Sequence, residues 1–125
     1  MTTWTNDELT KIEAADELEI ASLRPDGTLG STRTIWVVRL GDDLYVRSVN
    51  GRDSVWFRGT QERHEGRIRA GGVEKDVGFV DVHDDMDDQI DDAYRTKYRR
   101  YAASIVDSTL TLEARTATLK LVPRE

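Results

Sequence analysis

The chain has 125 residues, a formal charge of −6 and no cysteine, which allows one hydrophobic core and excludes disulfides, thiolate nucleophiles and sulfur-ligated metals. Its 24 acidic residues against 18 basic ones oppose non-specific nucleic-acid binding, because that affinity rests on many Lys and Arg contacts to phosphate. No stretch reaches the roughly 18 apolar residues of a membrane span and MTTWTNDELT lacks the pattern of a secretory leader, so a single soluble domain over residues 1–125 in a reducing cytoplasm is expected.

In chain order, TNDELTKIEAAD predicts a helix, with Thr5 or Asn6 as N-cap, acids in the first turn and Leu9 and Ile12 on one face. Trp4, just before it, can staple that helix to the rest of the fold. ELEIASLR and LGSTRTIWVVRL flank the Pro25-Asp26-Gly27 turn signal and form a first hairpin. A second turn at Gly41-Asp42-Asp43 pairs residues 33–40 with 44–49. A two-residue loop sets Trp36 opposite Arg47, a three-residue loop sets it opposite Ser48, and the sequence leaves both registers open.

NGRDSVWFRGTQE then breaks the strand and restarts as a short helix, capped by Asp53 or Ser54, packing Trp56 and Phe57 inward and ending at Gly59. EGRIRA and VEKDVGFVDV make two more strands around the tight turn Gly71-Gly72. The longest helix is predicted over about 86–104, where Ile90, Ala93, Tyr94, Tyr98, Tyr101, Ala102 and Ile105 recur at the spacing of one buried face. TLEARTATLKLVP closes the chain as an alternating strand that stops at Pro123. The fold class is therefore α+β: an antiparallel split β-barrel of about six strands with an N-terminal helix, a short helix after the third strand and one long helix before the last. Its expected core is Ile20, Ile35, Trp36, Val37, Val46, Trp56, Ile68, Val77, Phe79, Tyr94, Tyr98, Leu119 and Leu121.

Two charge clusters stand out. Residues 47–69 hold six arginines against Asp53, Glu62 and Glu65, whereas residues 81–92 hold seven aspartates and no Lys or Arg. A basic middle in an acidic chain suits a small anionic ligand better than a long polyanion. The aspartates precede or occupy the first turn of the long helix, where carboxylates complement the helix dipole; they lack the glycine and closing glutamate of an EF-hand loop, and no metal is assigned. His64 and His83 sit in polar surroundings without HExxH spacing and read as surface residues. The tyrosines of the long helix read as a buried face, with the lining of a ligand cleft as the alternative.

Residues 45–58 differ. A strand-end Arg47-Ser48 pair, the turn glycine Gly51, and a helix start carrying Arg52 and Trp56 place guanidinium forks, a hydroxyl and free backbone N–H groups together. That set can cradle a phosphate, and ordinary capping of a strand-turn-helix unit uses the same residue types. Trp36 or Trp56 can supply a stacking wall, depending on the hairpin register.

IWVVRLGDDLYVRSVNGRDSVWFRG, IRAGGVEKDVGFVDV, IDDAYRTKYRRY and ATLKLVP together resemble the bacterial family called domain of unknown function 2255. That family is in turn similar to split β-barrel nitroreductases that use a deazaflavin (coenzyme F-420), and more distantly to FMN-binding, pyridoxamine-phosphate-oxidase-like barrels. The resemblance implies a cofactor phosphate held at Arg47, Ser48, Gly51, Arg52 and Trp56, and a flavin- or deazaflavin-dependent oxidoreductase acting on a small molecule. The alternatives are a non-catalytic barrel binding a small anion or ligand, and a structural interaction domain whose arginines pair with the run of aspartates. A homodimer stays open.

Overall fold

The structure, a computed structural model, describes residues 3–82 and 84–124; the expectation for His83 lies outside them. The first helix, α1 (Asn6–Ala14), starts as its sequence dictates: Thr5 Oγ1 accepts from Glu8 N at 3.1 Å and Glu8 Oε1 accepts from Thr5 N at 2.9 Å, a reciprocal capping box. Leu9 and Ile12 are its buried residues. Trp4 Nε1 donates to Leu121 O at 3.0 Å, so the expected staple joins α1 to the last strand.

Seven strands follow: β1 (Glu17–Ser22), β2 (Arg33–Trp36), β3 (Val38–Leu40), β4 (Asp43–Arg47), β5 (Glu65–Ala70), β6 (Val73–Asp81) and β7 (Thr118–Pro123). All pair antiparallel, in the order β2-β1-β5-β6-β7-β4-β3. The turn between β5 and β6 uses Gly71 at φ 57° and Gly72 at φ 85°, two consecutive left-handed residues that only glycine supplies at low cost. Between β3 and β4, Leu40 pairs with Asp43; this selects the two-residue loop from the two registers the sequence allowed.

The sheet order has a consequence for closure. Its two end strands, β2 and β3, are the halves of the single strand predicted over 33–40, divided at Val37. The sheet therefore curls until its ends meet inside one stretch of chain, giving a nearly closed barrel. At the division, Val37 N donates to the Tyr98 hydroxyl at 3.0 Å, and Val37 O accepts from Lys97 Nζ at 2.7 Å. The Tyr98 hydroxyl donates to Asp16 O at 2.6 Å, with Val37 O an alternative acceptor at 3.0 Å. A buried backbone unit that leaves the ladder is thus satisfied by two side chains of one helix.

That helix is α3 (Asp87–Lys97), which ends earlier than the predicted 86–104. Tyr98 leaves helical geometry at φ −106°, ψ 20°, and Tyr101 N turns back to Tyr98 O at 3.0 Å. Past this break Tyr98 stacks on Trp36 at 3.8 Å and Tyr101 approaches the same indole at 5.0 Å. Two short helices, α4 (Ala103–Asp107) and α5 (Leu112–Thr116), carry the chain to β7.

The other correction concerns α2 (Val55–Arg63), which runs through Gly59 and ends at His64, φ 57°. Gly59 lies inside the helix against Ser22 of β1, whose Cβ and Oγ a Cβ there would meet at 3.4 Å, and it does not terminate the helix. The barrel core holds Leu18, Ile20, Leu44, Val46, Phe57, Ile68, Val77, Phe79, Leu119 and Leu121, while Val38, Tyr45, Ile90, Tyr94, Tyr98 and Val106 form a second cluster. Ile35, Trp36 and Trp56, expected in the core, are only half-buried and pack against it. Among the described residues no helix is long and apolar enough to cross a membrane.

Tyr98→Phe removes the acceptor of a buried N–H and should cost about 1 to 3 kcal/mol. Tyr101→Phe, whose hydroxyl reaches only Asp16 Oδ2 at 3.3 Å, should stay within about 0.5 kcal/mol of wild type in the same urea titration. Equal effects would show that the Val37 contact does not hold the barrel closed.

Candidate functional site

Arg47 ends β4 with its side chain fully buried. Its guanidinium pairs with Asp91, itself 1% exposed, and lies 3.6 Å from Asp87. It also donates to Thr118 Oγ1 at 3.0 Å and Thr109 O at 2.9 Å, and covers the Tyr94 ring at 5.6 Å. Arg115 of α5 closes on the second oxygen of Asp91. This part of the aspartate run therefore meets a buried arginine, and its carboxylates are used inside the protein. Among the described residues no group of three or more acidic or histidine side chains is placed to hold a metal ion.

The rest of the strand-turn-helix unit is present but turned elsewhere. Ser48 Oγ sits 2.7 Å from Ser54 Oγ, and Ser54 caps α2 by accepting from Phe57 N at 3.3 Å. Gly51, at φ 76°, backs onto Glu113, which a Cβ would meet at 3.3 Å. Arg52 donates to Thr116 O at 2.8 Å, lies 3.8 Å from Asp81 and covers the Phe57 ring at 5.0 Å. Ser48, Gly51 and Arg52 thus tie the start of α2 to α5 and the end of β6. Trp36, Arg47 and Trp56, by contrast, come together on one cleft.

That cleft, about 210 Å³, is walled by Ile35, Trp36, Trp56 and Val49, with Arg47 and Tyr94 also lining it. Tyr98 stacks on the Trp36 indole nearly parallel to it, at an interplanar angle of 4°. The Tyr94 hydroxyl is buried without a hydrogen-bond partner among the described residues. Burial pushes it above the usual tyrosine range against the opposing charge of Arg47, so it stays protonated.

On the other side of Trp56 lies a larger cleft of about 580 Å³, between α2 and the loop joining β1 to β2. Arg24, Arg33 and Arg58 line it, with Ser22, Ser31 and Glu62. Of the fourteen arginines, only Arg24, Arg33, Arg58 and Arg99 have no carboxylate within 4.0 Å among the described residues, and three of these four share this cleft. Arg24 is oriented by its bond to Leu29 O at 2.7 Å and makes no ion pair within 4.0 Å, with Asp26 of the same turn linked to it through the Thr28 hydroxyl. Arg58 closes the segment 45–58 that the sequence singles out, whereas Arg24 and Arg33 lie outside it and carry no local signal; what the three share is the lack of an ion pair.

The family model for uncharacterized proteins conserved in bacteria (DUF2255) matches residues 8–121. Among solved structures, the chain is similar to the heme storage protein HutZ of Vibrio cholerae, at TM-score 0.66 and 13% identity, covering 100% of this chain and 92% of that one. It is similar to an FAD-binding protein of Mesorhizobium loti at TM-score 0.66 and 13% identity, covering 98% and 90%. An F420 reductase aligns at TM-score 0.62 and 12% identity, covering 93% and 92%. These structures are split-barrel proteins of the pyridoxamine-5′-phosphate-oxidase type, and the likeness fixes the fold. No curated protein matches the sequence.

Asp91→Ala should cost about 3 to 5 kcal/mol, because it removes the principal partner of a fully buried charge and leaves Arg47 with only the more distant carboxylate of Asp87. Arg33→Ala, at an exposed position without an ion pair, should change stability by less than about 0.5 kcal/mol. Denaturant titration of both variants separates the arginine that supports the fold from one that is free to bind.

Proposed function

The chain belongs to the DUF2255 family, and we propose that it binds a phosphate-bearing flavin or deazaflavin across the two clefts that meet at Trp56. The observation that carries this reading is the segregation of arginines without ion pairs into the larger cleft, next to an aromatic cleft whose Trp36 stacks on Tyr98. The similarity to an FAD-binding protein and an F420 reductase supports it.

The residues present fit such a group. Arg33 and Arg58, with Arg24, would hold the phosphate through charge-assisted hydrogen bonds, which are stronger and shorter than neutral ones. Trp36 and Trp56 would border the ring. The Tyr94 hydroxyl lies buried behind this wall, beside the backbone of Arg47, and supports the aromatic cleft from within. Arg47, Ser48, Gly51 and Arg52 act behind this surface: Arg47, paired with Asp91, fixes the floor of the aromatic cleft, while the other three fix where α2 begins. When bound, the cofactor supplies hydride transfer to or from a small oxidised substrate. What the chain itself contributes is anion capture, ring orientation and a half-buried, water-poor seat.

A second reading, binding of a small anion without redox chemistry, is favoured by the larger size of the basic cleft and predicts that phosphate esters bind with or without a flavin ring. Calorimetric titration with FMN, with a deazaflavin and with a simple sugar phosphate distinguishes the two. The expected result is ring-dependent binding that Arg33→Ala and Arg58→Ala each weaken by about 1.5 to 3 kcal/mol. Arg52→Ala, already engaged with Thr116 and Asp81, should change affinity much less. Failure of the wild-type chain to bind either cofactor would overturn the first reading.

A further inference from the structure

The larger cleft, about 580 Å³, holds more space than a phosphate bound by Arg24, Arg33 and Arg58 would fill, and its other polar groups differ in kind from the arginines. Ser22 at the end of β1, Ser31 in the loop before β2 and Glu62 on α2 line it as well. Among the described residues neither serine hydroxyl makes a hydrogen bond, and the Glu62 carboxylate makes neither a hydrogen bond nor an ion pair.

Glu62 stands one helical turn beyond Arg58 on the same face of α2, a spacing at which oppositely charged side chains can pair. The order here, arginine before glutamate, is the less favourable one against the helix dipole. The two remain more than 4.0 Å apart, so the cleft presents an acceptor carboxylate and a donor guanidinium side by side, each with its hydrogen-bonding capacity unused by the protein.

A bare phosphate would occupy the arginines and leave Ser22, Ser31 and Glu62 without a role. An apolar tail behind the phosphate would cover those groups and strip their water with no bond in return. Hydroxyl groups match both kinds: they donate to a carboxylate, and they donate to or accept from a serine.

We infer that the larger cleft recognises a phosphate carried on a polyhydroxylated chain, and that Glu62 is the residue that determines specificity for the hydroxyls. The arginines take the phosphate, Glu62 accepts from hydroxyls of the chain, and the two serines complete the set. As the only acid lining the cleft among the described residues, Glu62 also repels a ligand that places further negative charge where the hydroxyls belong. The inference rests on the larger cleft being the phosphate site of the reading above; it does not require a ring in the aromatic cleft.

Two phosphate monoesters of equal chain length, sorbitol 6-phosphate and n-hexyl phosphate, separate hydroxyl recognition from phosphate capture when each is titrated calorimetrically into the full chain. The wild-type chain should bind the sorbitol ester about 5- to 10-fold more tightly. Glu62→Ala, at an exposed position, should reduce that preference to about 2-fold or less by weakening the sorbitol ester, while hexyl phosphate binds as well as before or better. Glu62→Gln keeps an oxygen acceptor and should fall between the two. Arg58→Ala should weaken both esters by the same factor and leave their ratio intact. Equal binding of the two esters by the wild-type chain, or a sorbitol preference that survives Glu62→Ala, would overturn the inference while leaving the phosphate site in place. Binding of neither ester would overturn the phosphate site and this inference with it, whereas failure of flavin binding alone would bear only on the aromatic cleft.

Discussion

The pairing of Arg47 with Asp91 is the constraint around which the rest of the molecule is arranged. Two charges with almost no exposure can be tolerated only if nearly every donor and lone pair finds a partner, since bare desolvation costs several kcal/mol per ion. Meeting that demand draws in Thr118 of β7, the Thr109 carbonyl ahead of α5, Asp87 at the start of α3, and Arg115. Four separate parts of the chain are thereby positioned relative to β4. Because β4 runs directly into the turn that starts α2, the placement of that helix, and of Trp56 upon it, follows from the same pair.

This also explains how an acidic chain acquires a basic cleft. Asp87 and Asp91 meet Arg47 and Arg115 inside the protein, while Asp81 and Asp88 face Arg52 and Arg115 nearer the surface, so part of the aspartate run is matched by arginines outside the basic cleft. Arg67 and Arg69 are matched on the outer face of the sheet by Asp76 and Glu19. What remains without an ion pair gathers where β1, β2 and α2 converge. The overall charge of −6 conveys nothing of this sorting. Local field, set by which ions are already matched, decides what a small anion encounters.

The features that were legible in the sequence were those encoded within a few residues. Thr5 with Glu8, Gly71 with Gly72, and the alternation of Leu119 and Leu121 each specify local geometry whatever the rest of the chain does. Errors arose where one residue type serves two purposes. Gly59 looked like a helix stop and is a contact point for Ser22; Tyr94, Tyr98 and Tyr101 looked like one helical stripe, but the last two wrap Trp36 from either side of a turn. Arg47 and Arg52 looked alike, and only the approach of α3 and α5 distinguishes the sealed guanidinium from the half-exposed one. The larger cleft was hidden for a related reason: its arginines are defined by what does not face them, a property of the folded surface.

The position of β7 bears on how the barrel can be assembled. It contains some of the last residues of the sequence, yet it lies between β6 and β4 in the sheet, pairing with both. Before it arrives the chain can form only two fragments, β2-β1-β5-β6 and β3-β4, whose inner faces carry Ile20, Ile68, Phe79 and Val46 with nothing to cover them. During vectorial synthesis the barrel cannot zip up progressively from the N-terminus; closure waits until residue 123 has emerged. Such a topology is made of long-range contacts, folds slowly for its size, and leaves a sticky intermediate in the meantime. Until that strand is in place the apolar inner faces of both fragments lie open, each offering an unpaired edge beside them.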